Sequence, residues 1–165
     1  MKAIVAVDKN WGIGKNNDLL FSIPEDMKFF RQTTLGKVVV MGSNTLKSFP
    51  NGNPLKNRTN VVLSKRVKRD DCIVVTSLEE LFIKIKEFDD SEVFVIGGAM
   101  LYKTLLPYCD EVLVTKVDAT ADADVFFENL DKLPNWSLFS ESDSLISNGK
   151  TIKFTVYKNH SVQTF

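Results

Sequence analysis

Asp26 is a carboxylate set beside an apolar helix face, where chemistry could use it. It falls in Phe21-Ser22-Ile23-Pro24-Glu25-Asp26-Met27-Lys28-Phe29-Phe30-Arg31-Gln32-Thr33-Thr34, a stretch that reads as a helix. Ser22 and Glu25 have the spacing of a capping box, in which the hydroxyl accepts from a first-turn N–H and the carboxylate returns to the cap. Pro24 suits the first turn, where its missing donor is not needed. Ile23, Met27, Phe30 and Thr34 recur at three- and four-residue steps and so form one face, with Asp26 beside it. Two readings of Asp26 follow. It is a solvated first-turn acid complementing the helix dipole, or it lies among apolar groups and needs N–H donors from a ligand.

Other chemistries are excluded by what is missing. His160 is the only histidine, which argues against a Ser-His-Asp or Cys-His nucleophile and against a multi-histidine metal site. No metal is expected. Cys72 and Cys109 stand far apart with no CxxC pair, so both are expected to be reduced core thiols in a cytoplasmic protein. Lys plus Arg and Asp plus Glu number 21 each, which gives no basic footprint for nucleic acid or a membrane surface. Ala3 to Val7 is too short for a signal core or a span. At 165 residues, 44% hydrophobic and 25% charged, the chain suits one ordinary globular domain, and a monomer is expected.

The elements that must position Asp26 alternate. Apolar runs at Lys2–Asp8, Lys37–Met41, Thr59–Ser64, Cys72–Val75, Glu92–Ile96 and Glu111–Val117 read as buried strands. A helix capped by Ser77 and Glu80 is expected to run to about Phe88, and another covers Ala99 to Leu106 before Pro107. Lys9 to Asp18 is rich in Gly and Asn and reads as a long loop of the kind that binds or closes over ligands. Its Gly12 and Gly14 lack the third glycine of a dinucleotide fingerprint, because Asn17 stands there. Trp136–Ser142 and Thr151–Tyr157, joined by a polar segment, read as an antiparallel pair. The result is one α/β domain over residues 1–159, with helices on both faces of a mostly parallel sheet and an antiparallel C-terminal edge. Residues 160–165 read as a loosely ordered polar tail.

Ligands of such sheets bind beyond the carboxyl ends of the strands. Gly97-Gly98 ends one strand and opens a helix, and Gly42-Ser43-Asn44-Thr45 does the same at another. Both are ordinary turns or phosphate cradles. Lys65 and Arg66 follow a third strand and could hold an adenosine 2′-phosphate, which together suggests a phosphorylated dinucleotide. No GxxxxGK[ST] occurs.

These motifs, taken in order, resemble the bacterial dihydrofolate reductases. The resemblance rests on Ile4-Val5-Ala6, Gly12-Ile13-Gly14, Ile23-Pro24-Glu25-Asp26 with Phe29-Phe30 and Thr34, and Val39-Val40-Met41-Gly42-Ser43-Asn44-Thr45. It continues through Arg58-Thr59-Asn60-Val61-Val62-Leu63-Ser64, Val95-Ile96-Gly97-Gly98 with Tyr102, and Thr115, so it spans nearly the whole chain. It implies NADPH-dependent reduction of 7,8-dihydrofolate to tetrahydrofolate for one-carbon metabolism, in a family that antifolates target. Asp26 would receive the pterin's amino group and ring nitrogen, with Thr115 supporting it and Phe21 beside the reacting centre. Ile4, Val5, Ala6, Phe30, Phe49, Leu55, Ile96 and Tyr102 would enclose the substrate, and Arg58 would clasp its glutamate carboxylate. For the cofactor the resemblance implies Ala6, Ile13, Gly14, Gly42, Ser43, Asn44, Thr45, Leu63 and Ser64. It adds Lys65, Arg66, Ile96, Gly97, Gly98, Ala99, Met100, Leu101 and Tyr102.

Three positions depart from the family pattern. Leu20-Phe21 replaces the usual Pro-Trp, which removes an indole donor and is expected to weaken water ordering near Asp26. Ser43-Asn44 replaces an often basic pair, for which Lys65-Arg66 would compensate. Trp11-Gly12 stands where a Gly-hydrophobic pair is usual, a change expected to alter loop packing. The alternatives are a pyrimidine reductase like that of the riboflavin pathway, which would leave Arg58 without a glutamate tail, and a non-catalytic folate- or nucleotide-binding protein.

Overall fold

The computed structural model describes residues 1–165, and no helix in it is long and apolar enough to cross a membrane. Six parallel strands form the centre: β1 (Lys2–Val7), then β4 (Val38–Gly42), β5 (Thr59–Leu63), β6 (Ile73–Val75), β7 (Val93–Gly97) and β8 (Glu111–Val117). The chain between β1 and β4 holds β2 (Gly12–Lys15), β3 (Asp18–Leu19) and α1 (Pro24–Thr34). The remaining helices are α2 (Ser43–Ser48), α3 (Leu78–Ile85) and α4 (Ala99–Leu105). After β8 come β9 (Val125–Phe126), β10 (Trp136–Glu141), β11 (Leu145–Ser147) and β12 (Lys150–Asn159).

Strand order across the sheet is β10-β12-β8-β1-β7-β4-β5-β6, with β11 paired to β12. β12 runs antiparallel to β8 and to β10, which makes the expected antiparallel edge. Alternation along β4 shows why its run is apolar throughout. Val38 and Val40 face the main core with Leu81 and Ile85 of α3 and Leu101 and Leu105 of α4. Val39 and Met41 face the other way, onto Leu46 of α2 and Val62 of β5. A strand covered on both sides has no polar face to show.

Several expectations are corrected. Ser22 does not cap α1, because Ile23 holds the cap position in extended conformation and makes no side-chain cap bond. The hairpin of β11 and β12 supplies one missing acceptor and also holds the Ser22 carbonyl. Ser147 Oγ accepts from Glu25 N at 3.3 Å, and Asn148 Nδ2 donates to the Ser22 carbonyl at 2.8 Å. With Ile23 as the cap, the inward stripe passes through Asp26, Phe30 and Thr34, while Met27 is 60% exposed. At α3 Ser77 does accept from Glu80 N, yet the Glu80 carboxylate bonds Thr76, and the helix ends at Ile85 rather than near Phe88. The long loop carries β2 and β3, and β2 pairs with both β3 and β9 in a small second sheet. The polar segment before β12 contains β11. Residues 160–165 make contacts with the rest of the domain. Gln163 N donates to the Pro107 carbonyl, and Phe165 stacks on Phe82 at 4.3 Å, because an aromatic end residue finds an apolar seat beside α3.

Candidate active site

The carboxyl ends of β1, β4, β5 and β7 share one edge of the sheet, since these strands are parallel neighbours. Ile4, Val5 and Ala6 lie on β1; Gly42 ends β4 and Ser43, Asn44 and Thr45 open α2. Leu63 ends β5, with Ser64, Lys65 and Arg66 just beyond; Ile96 and Gly97 end β7, and Gly98 precedes α4. Ala99, Met100, Leu101 and Tyr102 form the first turns of α4.

Asp26 projects from the first turn of α1 toward β8. Thr115 Oγ1 donates to Asp26 Oδ1 at 2.6 Å, and no cation pairs with the carboxylate. Burial pushes its pKa above the usual aspartate value, and the Thr115 hydroxyl pulls the other way. A half-buried carboxylate with one hydroxyl donor has unused acceptor capacity. Asp26 thus stands partly withdrawn from solvent and tied across to β8.

Tyr102 is buried, and its hydroxyl donates to the Ile4 carbonyl at 2.7 Å. Burial foremost, then the Asp26 charge, raises the phenol pKa, so Tyr102 stays a donor. Phe49, Leu55 and Ile96 pack together against the Val39–Met41–Leu46–Val62 cluster. Phe30 lies half-buried on α1, and Phe21 packs on Ile23, Val117 and Ile152. The Lys150 ammonium stands 6.0 Å from the Phe21 ring.

Arg58 sits across from α1. It donates through Nε to Thr34 Oγ1, through Nη1 to the Lys56 carbonyl and, at 3.4 Å, through Nη2 to the Arg31 carbonyl. Burial and the neighbouring Arg31 charge lower its pKa, and no carboxylate of the chain pairs with it. This leaves a fixed guanidinium at the end of α1 with spare donor capacity for an anion.

At the glycine turns the backbone itself makes the surface. Gly97 has φ +133 and a Cβ there would stand 3.1 Å from Thr45 Oγ1, so only glycine fits. A Cβ on Gly42 would meet nothing nearer than Gly98 N at 4.0 Å, so the two turns lie side by side. Ser64 Oγ accepts from the N–H groups of Arg66 and Val67 and so shapes the turn that carries exposed Lys65 and Arg66.

The residues that anchor the loop over this edge were not singled out from sequence. Asp8 is buried; its Oδ1 accepts from Asn10 N and Gly12 N, and its Oδ2 from Ala121 N. Asp124 N donates to the Gly14 carbonyl while Asn16 N donates to Asp124 Oδ2, and Lys15 pairs with Asp122. These fasten Ile13 and Gly14 beside β1. Asp8 followed by a Gly-Asn stretch was the only local sign. No group of three His, Cys, Asp or Glu side chains is arranged to hold a metal.

The family model described as dihydrofolate reductase matches residues 1–160. Dihydrofolate reductase of Haemophilus influenzae is 39% identical over 134 residues, which cover 81% of this chain and 79% of that one. The Bacillus subtilis enzyme of that name is 38% identical over 139 residues, covering 83% and 80%. Among solved structures, dihydrofolate reductase from Enterococcus faecalis, complexed with NADP(H) and RAB-propyl, superposes with a TM-score of 0.84 at 28% identity. That match covers 96% of this chain and 95% of the other. With this sheet order, glycine edge and helix-borne acid already in place, the chain belongs to the dihydrofolate reductase family.

Proposed function

We propose that this chain reduces 7,8-dihydrofolate to 5,6,7,8-tetrahydrofolate at the expense of NADPH, and that the residues gathered at the sheet edge carry the reaction. The observation that supports the site is Asp26, a half-buried carboxylate with Thr115 as its hydroxyl partner and no cation of its own. A pterin offers an amino group and a ring N–H to such an acceptor. The negative field also favours the protonated pterin, which makes it the better hydride acceptor.

The glycine edge suits a dinucleotide. Gly42, Gly97 and Gly98 leave backbone bare for close approach, and Lys65 and Arg66, exposed and without a carboxylate partner, are free to take a 2′-phosphate. Ser43, Asn44, Thr45, Leu63, Ser64, Ile13, Gly14, Ala6 and Ala99 to Tyr102 complete that binding surface. Bound NADPH supplies the hydride that C6 of the pterin accepts. Asp26 holds the ring in place, Ile4 and Ile96 present carbonyls, and Phe30, Phe49 and Leu55 exclude water from the rings. N5 takes its proton from a water admitted past the loop of residues 9–20, because no second acid stands nearby. Arg58 binds the glutamate carboxylate through its bidentate fork. The protein works as a cytoplasmic monomer on small molecules, without a nucleic-acid partner.

Steady-state oxidation of NADPH with 7,8-dihydrofolate, run beside NADH and beside Asp26→Asn, tests this. Turnover that prefers NADPH and is lost near neutral pH in the variant supports both activity and site. Undiminished turnover in the variant keeps the activity and discards the role of Asp26.

A further inference from the structure

We infer that Trp11 is a positioning residue for the Ile4 carbonyl, acting through Phe127 and Tyr102. The inference rests on the proposed reading that this carbonyl faces the pterin.

Trp11 has φ +63, a left-handed conformation that bulky side chains rarely adopt. Its neighbour cannot exchange places with it. A Cβ on Gly12 would lie 2.5 Å from Ala123 Cβ and 3.0 Å from Asp8 Oδ1, so position 12 must lack a side chain. Glycine would be the relaxed choice at position 11 as well. Tryptophan persists there because its ring is packed on all sides. It stacks on Phe127 at 6.3 Å and 24°, meets Tyr157 edge-on at 5.8 Å, and lies 5.5 Å under the Lys116 ammonium. Phe127 N also donates to the Trp11 carbonyl at 2.8 Å.

The packing continues toward the site. Phe127 meets Tyr102 at 5.1 Å and 68°, and Tyr102 delivers its hydroxyl to the Ile4 carbonyl. On its other side the Tyr102 ring lies against Gly97, where a Cβ would stand 3.6 Å from Tyr102 Cε2. One unbroken series of ring contacts thus joins the loop to the strand end. Close-packed rings transmit displacement, and a hydrogen bond weakens steeply as its angle departs from linear. Removing the indole frees Phe127, and Tyr102 then loses its aim at Ile4.

The test is a cycle of Trp11→Gly and Trp11→Phe, each made in the wild-type and in the Tyr102→Phe background. Trp11→Gly relaxes the backbone and deletes the ring, so a role in strain alone predicts undiminished activity. Positioning predicts a kcat lower by about 5-fold, with KM for NADPH little changed. Trp11→Phe keeps a stacking ring and restores kcat to within about 2-fold. With the Tyr102 hydroxyl absent, Trp11→Gly costs nothing further. Equal losses in both backgrounds, or no loss of kcat in Trp11→Gly, would overturn the inference. Unaltered turnover in Tyr102→Phe alone would also overturn it, and would additionally remove Tyr102 from the site, a separate failure of the site reading. Trp11→Leu replaces the glycine variant in every arm if that variant does not fold.

Discussion

Thr115 Oγ1 donates to Asp26 Oδ1 across 2.6 Å, joining β8 to α1 between residues 89 apart in sequence. The hydroxyl stabilises the ionised carboxylate that burial disfavours, so it sets how much of Asp26 is charged. Thr115→Val keeps the shape and removes the donor. The Asp26 pKa then moves further up, which a carbon-detected NMR titration of the carboxyl group reads directly. Loss of the bond lowers stability by about 1 kcal/mol. A titration midpoint that stays put or falls would contradict this assignment.

Asp26→Asn separates stability from activity. The folded pKa of Asp26 is raised above 3.8, so its contribution to stability is complete below that value and is lost as pH rises through the folded pKa. At neutral pH the wild-type protein therefore carries the cost of a partly buried charge. The asparagine variant is expected to be more stable there by about 1 kcal/mol, with the gap closing in acid. Turnover at neutral pH is expected to fall by about 100-fold. Urea unfolding at several pH values checks the first part. A wild-type protein that gains on the variant as pH rises would refute the sign.

How much of this was legible in the sequence depends on the range of each interaction. Buried strands such as Val38–Gly42 announce themselves by an apolar run, and the glycine edge by Gly42 and Gly97-Gly98. Asp26 could be seen as a candidate, but its burial could not, because Thr115 and the rest of β8 lie far along the chain. The cap of α1 misled for the same reason. Ser22 and Glu25 have the right spacing, yet Ser147 Oγ takes the Glu25 N–H that Ser22 would have used, and Asn148 holds the Ser22 carbonyl. The anchors Asp122 and Asp124 occupy a polar segment without periodicity, and pairing with Lys15, Gly14 and Asn16 exists only in three dimensions.

Lys65 and Arg66 are expected to set the choice of cofactor. Ser43 and Asn44 offer no cation at the neighbouring turn, so discrimination falls on the pair after β5. Replacing both with alanine should raise KM for NADPH by about 10-fold, the worth of one charge-assisted phosphate contact. KM for NADH should stay constant, since no 2′-phosphate is present to lose. A parallel rise for both cofactors would mean that the turn had been distorted instead.

Phe21 tests whether the lost indole matters. Its ring is half-buried against Ile23, Val117 and Ile152, and Val117 ends the strand that carries Thr115. Phenylalanine fills that apolar seat but, unlike an indole, offers no N–H to a water. Leu20 in place of proline also leaves the preceding backbone less restricted. Leu20→Pro with Phe21→Trp should restore both features. Turnover or the midpoint of its pH profile is expected to shift by about threefold in rate or its equivalent in proton affinity, the scale of one ordinary hydrogen bond. Identical rates and pH profiles in the two proteins would show that Phe21 serves only as packing for the loop.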